Sequence, residues 1–304
     1  MGPAEERRYL TRILALFGLA LWMSLAACAT SVSSAPDKVS FVVTEGLLIS
    51  LPAMVDGTAG DFLLDTGAGI HVVAPSVLTR ISARPAGRYT GFRHTGERVD
   101  FDMYRISSVT VGTTRLREPL VGGWPLLDQL KIAGILSARI FEHHPATLDF
   151  RAKELIFETA ETLPPRLRSG RSVPLGISRD RDKSLELFAD FILTRGGRRA
   201  EAECKLDTGL DGYIVDTRLM ASLDLAKESA TVTRRETRSL FGAAEIQYHA
   251  ELSGFQLRDR PDVAATHVEV VFKERLTADC LVGTRFWLDR LVTIDLENAR
   301  LIVQ

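Results

Sequence analysis

The chain has 304 residues, with 38 Lys and Arg against 39 Asp and Glu, a formal net charge of −1 and a pI near 6.6. That balance supplies no basic field for nucleic acid or for an anionic lipid surface. Three cysteines with no Cys-x-x-Cys spacing, and no His-x-x-x-His, exclude a disulfide-dense scaffold and match no zinc pattern.

In chain order, Arg7, Arg8 and Arg12 precede an apolar run from Ile13 to Met23, followed by Leu25-Ala26-Ala27-Cys28. Such a segment is a targeting element and not part of the fold. The last four residues resemble the lipobox of a bacterial lipoprotein. That resemblance implies a signal peptide over 1–27 and a lipid on Cys28. Residues 28–40 would then be a small, polar tether, beginning Ala29 to Pro36, that holds the protein to a membrane by its acyl chains. Ala27-Cys28-Ala29 also satisfies the rule for a simple secretory signal, and an uncleaved anchor helix is a third reading. In each case the rest is exported, to the bacterial cell envelope facing the periplasm or the exterior.

From residue 41 onward, short alternating runs separated by Gly and Pro predict mostly β structure. Asp61-Phe62-Leu63-Leu64 reads as a strand running into Asp65-Thr66-Gly67, with a short helix near Pro75 to Ile81. Tyr89-Thr90-Gly91-Phe92-Arg93-His94-Thr95-Gly96 has the composition of a hairpin tip. Leu163 to Gly170 reads as a linker, which gives a first half over 41–162 and a second over 171–304. In the second half Cys204-Lys205-Leu206 leads into Asp207-Thr208-Gly209, a helix is predicted near Thr217 to Leu223, and Ser239 to Ala244, with Leu240, Phe241 and Gly242, forms a more apolar tip. His143-His144 reads as a surface pair, and His71 and His94 lack a nucleophile pattern nearby.

The halves repeat each other. Ile135-Leu136-Ser137-Ala138-Arg139-Ile140-Phe141, Thr147 to Phe150 and Leu155 to Phe157 recur as Leu281-Val282-Gly283-Thr284-Arg285-Phe286-Trp287, Thr293 to Leu296 and Leu301 to Val303, at a constant offset of 146. The acidic triplets recur at an offset of 142, so a small indel lies between them. A repeat of this length indicates duplicated domains.

With two Asp-Thr-Gly triplets, each followed some 70 residues later by two apolar residues and a small one, the chain resembles aspartic proteases of the pepsin and retropepsin type. The resemblance covers residues 41 to 304. It implies an all-β, bilobal acid-protease fold of two pseudo-symmetric, retropepsin-like β-barrel lobes. It also implies a monomeric endopeptidase that takes peptide or protein substrates and uses neither metal nor cofactor. Asp65 and Asp207 would be catalytic, because two carboxyls about 3 Å apart cannot both ionise cheaply and so hold one proton between them. One carboxylate then draws a proton from a trapped water while the other protonates the scissile carbonyl. Thr66 and Thr208 would lock the two turns together, and Gly67 and Gly209 would let backbone approach the carboxylates.

By the same resemblance, Leu63 and Lys205 line the pocket beside the scissile bond, and Tyr89, Thr90, Gly91 and Phe92 belong to a flap over the substrate, matched by Leu240, Phe241 and Gly242 in the other half. Four residues depart from the pattern. Ala68 and Leu210 replace the Ser or Thr that often follows each triplet, which removes a hydroxyl donor to the carboxylate and predicts a pH optimum nearer neutral. Ser137 stands where the second half has Gly283. Lys205 is read either as a pocket cation that selects acidic side chains or tunes the dyad, or as a lysine snorkelling to solvent. Cys204 and Cys280 lie on strands that are neighbours in this fold, either as a disulfide or as two buried thiols. If Leu210, Lys205 and Ser137 have cost activity, the alternative is a protease-like peptide-binding lipoprotein that grips extended chains.

Overall fold

In the computed structural model, the described residues are 36–304, apart from 45, 47, 181–182 and 239–243. The leader, Cys28 and most of the tether therefore lie outside them, as do Leu240, Phe241 and Gly242. Among the described residues no helix is long and apolar enough to cross a membrane.

The fold is all-β and of the bilobal acid-protease kind, built on three sheets. A ten-stranded sheet draws its strands from residues 42–136 and an eight-stranded sheet from residues 176–282. In the second of these, Ser184–Arg195 pairs with both Arg198–Leu206 and Ala244–Leu257, so the sheet curls until it closes on itself. Strands that border one core alternate in burial, as Ile49–Val55 does, whereas Gly134–Leu136 and Cys280–Val282 are buried at every residue. Central strands covered on both faces read as unbroken apolar runs for this reason.

The third sheet has six strands. The repeated end blocks form two hairpins, Ala146–Asp149 with Glu154–Phe157 and Leu291–Asp295 with Arg300–Val303, which join edge to edge where Ala146–Asp149 pairs antiparallel with Leu291–Asp295. Thr147 lies directly opposite Thr293, its counterpart in the repeat, with hydroxyl oxygens 2.7 Å apart, so the pseudo-twofold axis passes between them. The Thr147 hydroxyl also donates to buried Glu158, which Arg166 pairs at 3.0 Å. Residues 37–40, expected as the end of the tether, form an outer strand of this sheet, and Arg171–Pro174 forms the opposite one.

Local differences from expectation follow the backbone chemistry. Pro75–Arg80 is a helix with proline in its first turn, where its missing N–H costs nothing. Thr217 to Leu223 is two 3-10 turns, Thr217–Leu219 and Ala221–Leu223, because Asp216 caps the first and Asp224 adopts a left-handed conformation after the second. The stretch expected as a linker holds a helix, Leu163–Ser169, with prolines in its first turn.

In the second half Phe191, Tyr213, Phe255 and Phe286 pack edge to face or tilted, with centroids 4.8–6.4 Å apart. Next to them Cys204 and Cys280 form a disulfide between paired parallel strands, with Cα atoms 4.4 Å apart. The bridge closes a loop of 76 residues, for which about 2–4 kcal/mol of stabilisation is usual. Cys204→Ala with Cys280→Ala should lower the urea midpoint accordingly; an unchanged midpoint under oxidising conditions would show that the bridge contributes nothing.

Candidate active site

Each acidic turn is set by a parallel strand pair. Thr58–Leu64 runs beside Gly134–Leu136, and the Asp65 amide donates to the Leu136 carbonyl at 2.8 Å. Arg198–Leu206 runs beside Cys280–Val282, and the Asp207 amide donates to Val282 at 3.0 Å. The apolar residues that precede Ser137 and Gly283 in sequence are thus what hold the aspartates. Each turn then closes, with Ala68 N–H donating to the Asp65 carbonyl and Leu210 N–H to the Asp207 carbonyl, both at 3.2 Å.

The two turns face each other and interlock. The Thr66 hydroxyl donates to the Leu206 carbonyl at 2.8 Å and accepts from the Thr208 amide at 3.1 Å. The Thr208 hydroxyl does the same toward the Leu64 carbonyl, at 2.8 Å, and the Thr66 amide, at 3.0 Å. Both threonines are buried, so all four bonds are shielded from water. The glycines are required by contact: a Cβ on Gly67 would sit 2.3 Å from the Asp207 carboxyl carbon, and one on Gly209 would sit 2.5 Å from that of Asp65. Each carboxylate therefore lies across the backbone of the opposite turn.

The Asp65 and Asp207 carboxyls are hydrogen-bonded to each other. Both are partly open to the cleft yet ringed by protein, and loss of water around the charge pushes both above the ordinary carboxylate range. For Asp207 the negative charge of Asp65 adds to the rise, while Lys205 pulls both back. The pair thus holds one proton between its members well above the pH at which a free aspartate would lose it. Of the two residues after the triplets, Ala68 contributes only its amide, which donates to Asp65 Oδ1 at 3.0 Å; Asp207 Oδ1 accepts from the Gly209 amide instead.

The dyad lies on the floor of a cleft of about 560 Å³. Leu63, Tyr89, Gly91, Phe92 and Lys205 line it, as do Gly67, Ala68, Gly209 and Leu210. Among the described residues expected to line it, Thr90 does not: its hydroxyl donates to Asp100 at 2.5 Å on the exposed side of the hairpin. That hairpin, Arg84–Phe92 with Arg98–Arg105, reaches across the cleft, and at its tip the His94 carbonyl accepts from the Thr277 amide of the other half at 2.9 Å. Phe92 is 65% exposed at this tip, an apolar side chain without cover. A larger recess of about 780 Å³ on the second half shares Leu210 and Ile214 with the cleft but neither aspartate lines it.

Lys205 does not snorkel. It is 6% exposed, and its ammonium donates to Glu186 Oε1 at 2.5 Å. Glu186 was not legible as a site residue, because only the hairpin of Ser184–Arg195 with Arg198–Leu206 brings it there.

Ser137 is wired differently from Gly283. The Gly283 amide donates to the Gly212 carbonyl, and backbone at Leu210 and Asp211 passes where a Cβ would be, so that position must be glycine. In the first half the Ser137 amide donates to Nδ1 of buried His71 at 3.0 Å, and the Ser137 hydroxyl receives the Arg139 amide. His71 therefore carries its proton on Nε2, which is buried without a partner among the described residues. Burial lowers its pKa to about 4. Because the folded value lies below the unfolded one, the stability this imidazole contributes is present above about pH 6.5 and is lost as pH falls toward 4. His71→Asn keeps an acceptor but cannot titrate. Thermal melts should show it losing about 2–3 kcal/mol less than the parent between pH 6.5 and 4; parallel curves would refute the assignment.

Among the described residues no cluster of His, Cys, Asp or Glu is arranged to hold a metal ion. Residues 51–138 match the aspartyl protease family model. The match takes in Asp65 and its supporting strand and stops before Asp207. No curated protein matches the chain. Among solved structures, conglutin gamma, a basic 7S globulin from lupine seeds, is similar at 13% identity over 89% of this chain and 95% of that one, with a TM-score of 0.49.

Proposed function

We propose that this chain is an exported aspartic endopeptidase that hydrolyses peptide bonds with a water activated between Asp65 and Asp207. The observation that carries the reading is the reciprocal packing of each carboxyl against the opposite glycine, which leaves two hydrogen-bonded acids facing one cleft. The ionised member accepts a proton from the water as it attacks the carbonyl carbon, and the protonated member donates to the carbonyl oxygen. The proton then returns through the pair as the amine leaves. The Arg84–Arg105 hairpin, closed onto Thr277, would open to admit an extended chain and shut to exclude water. Lipid on Cys28 would hold this cleft at the envelope surface.

The test is cleavage of an unstructured peptide library by the full-length chain from pH 3 to 8. Because burial raises the dyad and neither Ala68 nor Leu210 offers a hydroxyl, activity should extend toward neutral pH, with a maximum above about pH 4. A maximum below that value would contradict this account of the dyad's acidity. Peptides that bind but are never cut at any pH would replace the enzyme reading with that of a peptide-binding protein.

A further inference from the structure

The cleft is lopsided. Its first-half wall is apolar and aromatic, with Ile70, Phe101, Trp124 and Ile135. Its second-half wall carries the ion pair Glu186–Lys205, with Lys205 at the position that Leu63 occupies in the first half. A buried lysine beside the dyad invites the reading that it selects acidic substrates, but the pair does not present its cation. The Lys205 side chain is 8% exposed and that of Glu186 is 35% exposed. Glu186 Oε2 makes no hydrogen bond to a described residue, so the end of the pair that meets an incoming chain is a carboxylate oxygen.

The other charges in the cleft point the same way. Arg93 is paired with Glu97 within the flap at 3.0 Å, and His94 is held neutral at ordinary pH by burial and the nearby cations Lys273 and Arg93. Lys273 is itself paired with Glu245 at 2.8 Å. With Lys205 cancelled by Glu186, the proton-sharing dyad leaves one negative charge over. A cation placed against Glu186 is attracted to both it and the dyad, whereas an anion is repelled by both.

We infer that the subsite fronted by Glu186 accepts a lysine or arginine side chain of the substrate, close to a scissile bond whose other flank is a large apolar residue. This rests on the protease reading of the same cleft. Lys205 then acts as a positioning residue, holding Glu186 upright and limiting its pull on the substrate cation.

The test uses peptides that differ at one position near an apolar residue, Arg, Gln or Glu, scanned along the chain. Their kcat/KM is measured with the full-length parent, Glu186→Gln and Lys205→Met, and their binding to Asp207→Asn is measured by fluorescence anisotropy. At one position Arg should exceed Glu by more than about 10-fold in the parent, and Glu186→Gln should bring the ratio of the two peptides below about 3-fold. Lys205→Met should widen the ratio of Arg-peptide to Glu-peptide cleavage, and a ratio that stayed the same or narrowed would overturn the inference. A preference for Glu in the parent, or no charge preference at any position, would also overturn it. Binding with the Arg preference but no cleavage would sustain the subsite and remove the protease reading.

Discussion

Asp207→Asn should end peptide cleavage, with a loss of about 10³-fold or more in kcat, and at the same time make the fold more stable at neutral pH. The first effect follows because an amide cannot serve as the acid or base of the pair. Asp65→Asn should cost as much, and the double variant little more, since the two carboxyls act as one unit. The second effect is a matter of sign. Burial and the neighbouring charge raise the folded pKa of Asp207 to about 8, above its unfolded value of 3.8. The native state therefore holds its proton more tightly, and the stability this brings is complete below about pH 4 and drains away as pH rises through the folded value. Asn removes the liability, with a gain on the order of 1–3 kcal/mol at pH 7, moderated by water in the cleft, that vanishes near pH 3. A variant less stable than the parent at pH 7 would mean that the carboxylate is stabilised where it lies.

Thr66→Ala should be severely destabilising, by about 2–4 kcal/mol, although it deletes one small side chain. It strips the Leu206 carbonyl of its donor and the Thr208 amide of its acceptor in a site without water to replace them. Cleavage should fall more than 10-fold at temperatures where the variant is still folded, because the two turns are no longer held at contact distance. Thr66→Ser, which keeps the hydroxyl, should stay close to the parent. Thr66→Ala with Thr208→Ala should cost less than the two changes summed, since the first loosens what the second would break. Additive costs with unchanged activity would show that the interlock is not what positions the acids.

Much of the site was legible in the chain because its parts are local. Asp-Thr-Gly specifies a strand end, a tight turn and an acid in three residues, and its recurrence carries the pairing. The closing blocks were legible for the same reason, as short apolar strings at a fixed offset. What the chain did not disclose lies in contacts between distant segments. Glu186 becomes a cleft residue only through the register of a hairpin, and Ser137 looked like a weakened glycine until His71 was seen to take its amide. The six-stranded sheet depends on edge strands of two hairpins meeting at Thr147 and Thr293, and neither hairpin shows alone that its edge will be used. Thr90 lies outside the lining, its hydroxyl turned to Asp100 on the paired strand, a cross-strand partner set by the register of the hairpin.

Whether acids from the two halves share one proton can be read from carboxyl NMR of ¹³C-aspartate-labelled protein titrated from pH 3 to 9. Two coupled resonances should appear, one of them titrating far above the ordinary carboxylate range, each disappearing in its own Asn variant and returning its partner to simple, single-step behaviour. Two independent titrations near pH 4, unaffected by replacing the other residue, would contradict it.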